Sequence, residues 1–403
     1  MMKFQAIGCR VIAAAAALMS LAAWAVPAPN VAPHAVPLDT APITVSLVTF
    51  YPGDEVFSVY GHTELRVQQG TADAYFNYGV FDFDSPNFVW RFATGDAEYL
   101  CVATPAAYSR VGMDGRRMVE QRLNLTQEQA QGVLHYLLNN ARPGNNTYRY
   151  RFLTDNCSTR PRDIIERAVG TSPHYAPLDS AVTYRDIIAR YTANYPWEKF
   201  GIDLVLGSEL DRPISTREQM FVPMLLMRAV DGATIVRDGK SVPLVTDTDV
   251  VVDASEQGIV LPPTPWYLTP MAAALALLVV IVAFTVRDLR RHRVTRWLDT
   301  LLFLAYAAAG CVVFFLVFVS EHEATSPNWN ALWLHPLHFM PAVLVWIPRA
   351  QKLLRAYHVV DAAVIVLLLL AWPWLPQVAN PASFPLMLIP VLRALPHIRY
   401  RQQ

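Results

Sequence analysis

The sequence predicts an α+β exported domain followed by an all-α membrane domain of about five transmembrane helices. Three observations predict it. The chain opens with a basic start, a short apolar run and a small-x-small site. β-Branched runs and capped helical patterns follow. Long apolar stretches separated by arginine-rich turns then fill the remainder. The 403 residues are enough for two domains with cores of their own. A net charge of zero, with 16% charged residues, argues against a nucleic-acid partner, which would favour a basic face.

Taken in order, the expected segments are a signal peptide at 1–25, a Pro/Ala linker at 26–42, an exported domain at 43–262 and a membrane domain at 263–403. Lys3 and Arg10 precede the apolar run, and Ala23-Trp24-Ala25 fits a cleavage site. The run is short for a membrane span. No cysteine follows it where a lipid would be attached, so the chain is not itself expected to be lipidated. Pro27, Pro29, Pro33, Pro37 and Pro42 mark the linker. Residues 43–50 read as a strand, and 59–68 and 74–81 as a hairpin turning at Gln69-Gly70-Thr71. Residues 125–140 read as a helix with Thr126 and Gln129 forming a capping box. Residues 159–169 read as another, with Pro161 in its first turn and Gly170 at its end.

Four stretches, 266–286, 298–319, 331–347 and 357–375, approach the length of a span. A fifth, 384–395, is short and holds Pro385 and Pro390; it spans or is re-entrant. Arginine and lysine cluster after the first (Arg287, Arg290, Arg291, Arg293, Arg296), the third (Arg349, Lys352, Arg355) and the fifth (Arg393, Arg399, Arg401). By the positive-inside rule these clusters are cytoplasmic, which puts the exported domain on the other side. The loop 320–338 is unusual for its His322, His335, His338, Asn328, Asn330, Trp329 and Trp333. An interfacial aromatic belt is one reading. A metal site is another, but the spacing of His322, Glu323, His335 and His338 matches no ligand pattern, so no metal is assigned. The reading we prefer is a loop that holds lipid headgroups, because polar groups at membrane depth are functional candidates.

Chemistry centres on Tyr60-Gly61-His62 and Asp155-Asn156-Cys157-Ser158-Thr159-Arg160. A histidine and a cysteine among small and polar residues suggest a thiol–imidazole nucleophile. Cys157 falls at a helix N-terminus, a position that favours the thiolate. The competing reading is a Cys101–Cys157 disulfide, as oxidising compartments allow. Cys9 leaves with the signal peptide, and Cys311 reads as a packing residue. The histidine strand precedes the cysteine helix, the order of circularly permuted papain-like folds, and a catalytic site is defined by roles in space.

Three segments carry a family resemblance: Tyr60-Gly61-His62-Thr63-Glu64-Leu65-Arg66; Asn77-Tyr78-Gly79-Val80-Phe81-Asp82-Phe83 with Pro86-Asn87-Phe88; and Asp155-Asn156-Cys157-Ser158-Thr159-Arg160-Pro161-Arg162-Asp163. Together they resemble the periplasmic domain of Lnb-type bacterial lipoprotein N-acyltransferases, a permuted NlpC/P60-like, papain-like domain. Asn328-Trp329-Asn330-Ala331-Leu332-Trp333 resembles the loop in that family's membrane half. The resemblance implies an inner-membrane, multi-pass enzyme with its catalytic domain in the periplasm. It also implies a phospholipid acyl donor and, as acceptor, the α-amino group of a lipoprotein's diacylglyceryl-cysteine. No cofactor is required. On this reading Cys157 is the nucleophile and His62 the base, oriented by Asn77 or, alternatively, Asp82. Asn156 either donates to the oxyanion or caps the helix. Asn328, Asn330, Trp333, His335 and Arg160 are candidates for substrate binding, Arg160 and Arg162 by meeting phosphate. Two other classes remain open: a membrane-anchored cysteine hydrolase, acting as a phospholipase or a cell-wall amide hydrolase, and a non-catalytic binding module.

Overall fold

The computed structural model describes residues 41–55, 58–106, 115–170, 172–255 and 261–400. The expected signal peptide, with Cys9, lies outside the described residues. The chain divides into two compact units. Among the described residues, one comprises 41–191 together with 213–262, and the other 192–212 together with 263–400. The sequence placed all of 43–262 in one exported domain; the structure joins 192–212 to the helical unit instead.

The first unit is built on a seven-stranded antiparallel sheet. Its strands are β1 (Ile43–Phe50), β2 (His62–Gln69), β3 (Ala72–Val80), β4 (Glu98–Pro105), β5 (Met118–Leu123), β6 (Thr147–Arg149) and β9 (Val245–Val252), and β7 (Thr234–Arg237) pairs with β8 (Lys240–Pro243) apart from it. The sheet order is β6-β4-β3-β2-β1-β5-β9. The expected hairpin is present: Gln69 faces Ala72 across a two-residue turn, and Glu64 faces Asn77. Period-two alternation splits the side chains. Val45, Leu47, Leu65, Val67, Phe76 and Tyr78 pack into one core with the helices, while Val48, Phe50 and Tyr75 join a smaller cluster.

The helices of this unit are α1 (Phe88–Thr94), α2 (Gln127–Asn140), α3 (Thr159–Val169), α4 (Tyr184–Tyr191), the short α6 (Thr216–Gln219) and α7 (Pro223–Asp231), with α5 (Pro196–Val205) in the other unit. Thr126 and Gln129 form the expected capping box at the start of α2. Gly170 ends α3 in a left-handed conformation, as the sequence predicts. Val133, Leu137, Ile164, Ile165, Leu226 and Val230 supply the helical side of the main core.

In the second unit, α8 (Pro270–Arg291), α9 (Arg296–Phe318) and the stretch Pro348–Trp374, which includes α11 (Gln351–Ala371), are long and apolar enough to cross a membrane. The expected third span is not one helix. Residues 329–347 descend in pieces: two 3-10 turns, Trp329–Leu332 and Pro336–His338, then α10 (Phe339–Leu344). Pro336 and Pro341 cannot extend a continuous ladder. The pieces run beside α9 from its end to its start. Thr325 bonds the Leu316 carbonyl, the His335 backbone lies on Gly310, and Thr300 bonds the Ala342 carbonyl. The fifth stretch forms α12 (Ser383–Arg399), 17 residues with Pro390 and Pro396 inside. At ~1.5 Å per residue it reaches about 25 Å, short of the roughly 30 Å hydrocarbon core. Arg393, one of the residues of the third basic cluster, is fully buried against Asp299 (2.6 Å) and Asp288 (2.9 Å).

Candidate active site

His62 opens β2, and alternation puts His62 and Glu64 on one face with Asn77 and Gly79 of β3. The His62 Nε2 lies 3.0 Å from Asn77 Oδ1. An amide oxygen only accepts, so Nε2 carries the proton and Nδ1 is the basic nitrogen. Cys157 comes from the loop before α3. A Cβ placed on Gly79 would lie 3.0 Å from His62 Cε1 and 3.5 Å from Cys157 Cβ. Imidazole and thiol-bearing carbon thus converge over one glycine, and a larger residue there would intrude between them.

The Asp155–Arg160 segment is a scaffold around the thiol. Asn156 Oδ1 accepts from the amides of Ser158 (2.8 Å) and Thr159 (3.0 Å), capping α3. Its amide nitrogen donates to the carbonyls of Phe152 and Phe221. Of the two readings of Asn156, the geometry is that of the cap; both donors are engaged away from the sulfur. Arg160 forms a fork onto Asp155, lies 4.1 Å over the Tyr148 ring and leaves Asp155 a further bond from Tyr99. Its guanidinium is an internal brace for the loop, and so is Arg162, buried against Asp163 and the Arg217 carbonyl. Neither is displayed for a phosphate. Asp82 is not brought to His62: it is exposed and accepts from the Asp84 amide in a turn.

Glu64 belongs to the site although the sequence reading passed over it. Its side chain is buried, with Oε1 3.7 Å from His62 Nε2. The signal was available, because residue i+2 on a strand shares the histidine's face.

Burial sets the electrostatics. It pushes the His62 imidazole down to about 4, helped by the positive Arg116 and opposed by the Asn77 bond. It pushes the Cys157 thiol up to about 11; the backbone N–H groups of Thr63 and Cys157 itself oppose this, and the Glu64 charge adds to it. The sequence predicted a thiolate favoured by the helix terminus. In the structure desolvation of the sulfur acts in the opposite direction and is the larger effect. The resting pair is therefore a thiol beside a neutral imidazole, suited to proton transfer during attack. Alkylation of Cys157 by iodoacetamide is expected to be slow at neutral pH and to rise about tenfold per unit toward pH 11. A rate already at plateau in mildly acidic buffer contradicts this.

Cys101 and Cys157 are both free, so the expected alternative of a disulfide between them is not realised. Cys101 is fully buried on β4, where burial pushes its thiol up to about 12.

The loop residues expected at lipid headgroups have internal partners. Asn328 donates to the carbonyls of Leu204 (2.9 Å) and Val205 (3.1 Å), and Asn330 to those of Asp203 and Leu204 (both 3.1 Å). Gln377 reaches the Leu206 carbonyl, and Asn380 the Asp203 carboxylate at 2.8 Å. A helix leaves its last four carbonyls without intrahelical partners; here side-chain amides satisfy those of α5. Trp333 is buried and donates to Asn330 Oδ1 at 3.0 Å. His335 lies 3.1 Å from Asp361. These groups hold the helical unit together.

Residues 34–192 match the family model described as the Lnb N-terminal periplasmic domain. Residues 263–403 match the one described as the Lnb transmembrane domain. No curated protein and no solved structure matches the chain.

Proposed function

The chain belongs to the Lnb family, and we propose that it is a lipoprotein N-acyltransferase working through a Cys157 thioester. The family places lipoproteins and a membrane in its chemistry, and its two matched domains are a periplasmic and a transmembrane one. The observation that carries the finer reading is the convergence of His62 and Cys157 over Gly79, with Asn77 on the far nitrogen of the ring.

In the first half-reaction Cys157 Sγ attacks the ester carbonyl of a phospholipid while His62 Nδ1 takes the thiol proton. The backbone N–H groups of Thr63 and Cys157, which already face the sulfur, are the donors we assign to the carbonyl oxygen as charge develops. The ester C–O bond then breaks, His62 returns its proton to the glycerol oxygen, and a lysophospholipid leaves. In the second half-reaction the α-amine of a diacylglyceryl-cysteine attacks the thioester. His62 accepts a proton from nitrogen, the C–S bond breaks and the thiol is restored. Asn77 fixes the tautomer throughout, and the buried Glu64 favours the imidazolium that forms twice per cycle. A site that desolvates its thiol and imidazole also keeps out water, which favours transfer to an amine over hydrolysis. The reading includes a permuted papain-like domain, in which a histidine strand precedes a cysteine helix, and an inner-membrane location with this domain in the periplasm.

Mass spectrometry of lipoprotein N-termini from cells with and without the gene tests the function. The expected result is a third acyl chain, amide-linked to the N-terminal cysteine, only when the gene is present. Identical N-termini with accumulation of free fatty acid instead favour the hydrolase.

A further inference from the structure

An arginine stands on the catalytic face of the sheet, two strands from His62. His62 faces Phe50 of β1, and Phe50 faces Met118 of β5. Residues directly opposite one another in a sheet share a face, and the His62 and Phe50 rings lie 6.2 Å apart. The pairing runs on past the end of β5, where the Tyr51 amide donates to the Arg117 carbonyl at 2.9 Å. Alternation then returns Arg116, two residues before Met118, to the face of Met118, Phe50 and His62. We propose, on the acyl-transfer reading, that the Arg116 guanidinium binds the phosphate of the donor phospholipid, on the leaving-group side of His62.

Position supports this. Cys157 meets His62 over β3, its Cβ 3.5 Å from a Cβ placed on Gly79, whereas Arg116 extends β5 on the other side of β2. The two therefore flank the imidazole. Strands lie about 4.8 Å apart, so β5 runs roughly 10 Å from β2, a gap that an arginine side chain and a phosphate fill together. Arg116 Cδ lies 3.2 Å from a Cβ placed on Gly53, and Nη1 lies 3.5 Å from the Tyr51 carbonyl, in the segment that leads from β1 to His62. Its field reaches the ring, since Arg116 is the positive group that helps hold the imidazole down.

The reaction gives that position a meaning. His62 returns its proton to the glycerol oxygen, so the leaving half of the donor lies on the histidine's side of the reacting carbonyl. The phosphate belongs to that half, and the glycerol backbone carries it past the imidazole toward Arg116. A planar fork of N–H donors matches two phosphate oxygens. Other arginines near the site are turned elsewhere. Arg160 and Arg162 brace the cysteine loop, and Arg117 points to the opposite face, 5.7 Å over the Tyr51 ring and 3.0 Å from Asp253. The sequence hid Arg116 because only the β1–β5 pairing brings it to His62.

The test follows acyl loading of Cys157 by intact mass, with the full-length protein in detergent micelles. Three donors carry the same acyl chain: phosphatidylethanolamine, phosphatidylglycerol and a p-nitrophenyl ester, which lacks the phosphate. Arg116→Ala should lower loading from both phospholipids by about ten- to a hundredfold, chiefly through KM, and leave loading from the p-nitrophenyl ester as in wild type. Arg116→Lys keeps the charge without the fork and should fall between. Arg117→Ala, one residue away on the opposite face, should load from all three donors as wild type does. The p-nitrophenyl ester also reports whether each variant keeps a folded site. Equal losses on all three donors make Arg116 a structural residue and overturn the proposal. Unchanged loading from the phospholipids overturns it too, and so does a loss with one headgroup alone, which moves the contact off the phosphate. A wild-type protein that neither phospholipid loads fails the acyl-transfer reading itself, whereas a wild type that loads beside an equally active Arg116→Ala fails only the phosphate contact.

Discussion

Cys157→Ala and His62→Ala are each expected to lower lipoprotein N-acylation by about four orders of magnitude or more. Nucleophile and base act as one unit, so losing either removes nearly all that the pair supplies. Protein levels should hold, because neither side chain fills the main core: Cys157 is half-buried, and His62 lies on the face opposite Leu65 and Val67. Cys101→Ala is the control. It removes a buried sulfur from that core and should cost some stability while leaving the chemistry intact. Comparing diacyl and triacyl lipoprotein in membranes carrying each variant makes the measurement. Appreciable acylation by Cys157→Ala removes the thioester from the mechanism.

The second large effect is expected at Asn77. It holds His62 Nε2 at 3.0 Å and so fixes which nitrogen is left as the base. Losing the orienting group permits the wrong tautomer, and Asn77→Ala should lower turnover by roughly two to four orders of magnitude. Asn77→Asp keeps an acceptor and adds a negative charge, which raises the imidazole from about 4. The base works only when neutral, so activity is lost as pH falls through its pKa. The acid limb of the rate profile should therefore sit near pH 4 in the wild type and move upward in Asn77→Asp. A profile that does not move, with Asn77→Ala fully active, shows that Asn77 only builds the hairpin.

Much of this site was legible because its signals are local. The β2–β3 hairpin follows from two alternating runs around Gly70, and α3 from Pro161 and Gly170 at its ends. Asn77 was found as the neighbour of His62 across that hairpin. Long-range contacts were not legible. β5 (Met118–Leu123) and the edge strand β9 pair at a separation no local pattern encodes, and β9 carries exposed Asp247 and Asp249. Side-chain amides were the hardest groups to place from sequence. Asn156 could be an oxyanion donor or a cap, and only the positions of the Ser158 and Thr159 amides decide. Asn328 and Asn330 suggested a headgroup site, but the carbonyls they meet belong to α5, about 125 residues earlier. That partnership also explains why residues 192–212 pack with the helices. For the thiol, the helix terminus was legible in the sequence, but the burial that outweighs it depends on long-range packing and was not.

The central claim is that an acyl group rests on Cys157. The most direct measurement is the intact mass of the full-length protein in detergent, incubated with phospholipid vesicles of defined chains and no lipoprotein acceptor. The account predicts an added mass of one acyl chain, located on the peptide bearing Cys157, removed by neutral hydroxylamine and absent from Cys157→Ala. Adding a diacylated lipopeptide should discharge it and produce the triacylated form. An enzyme that acylates the lipopeptide while Cys157 never carries the chain, or carries it only in a form the lipopeptide cannot discharge, contradicts the account.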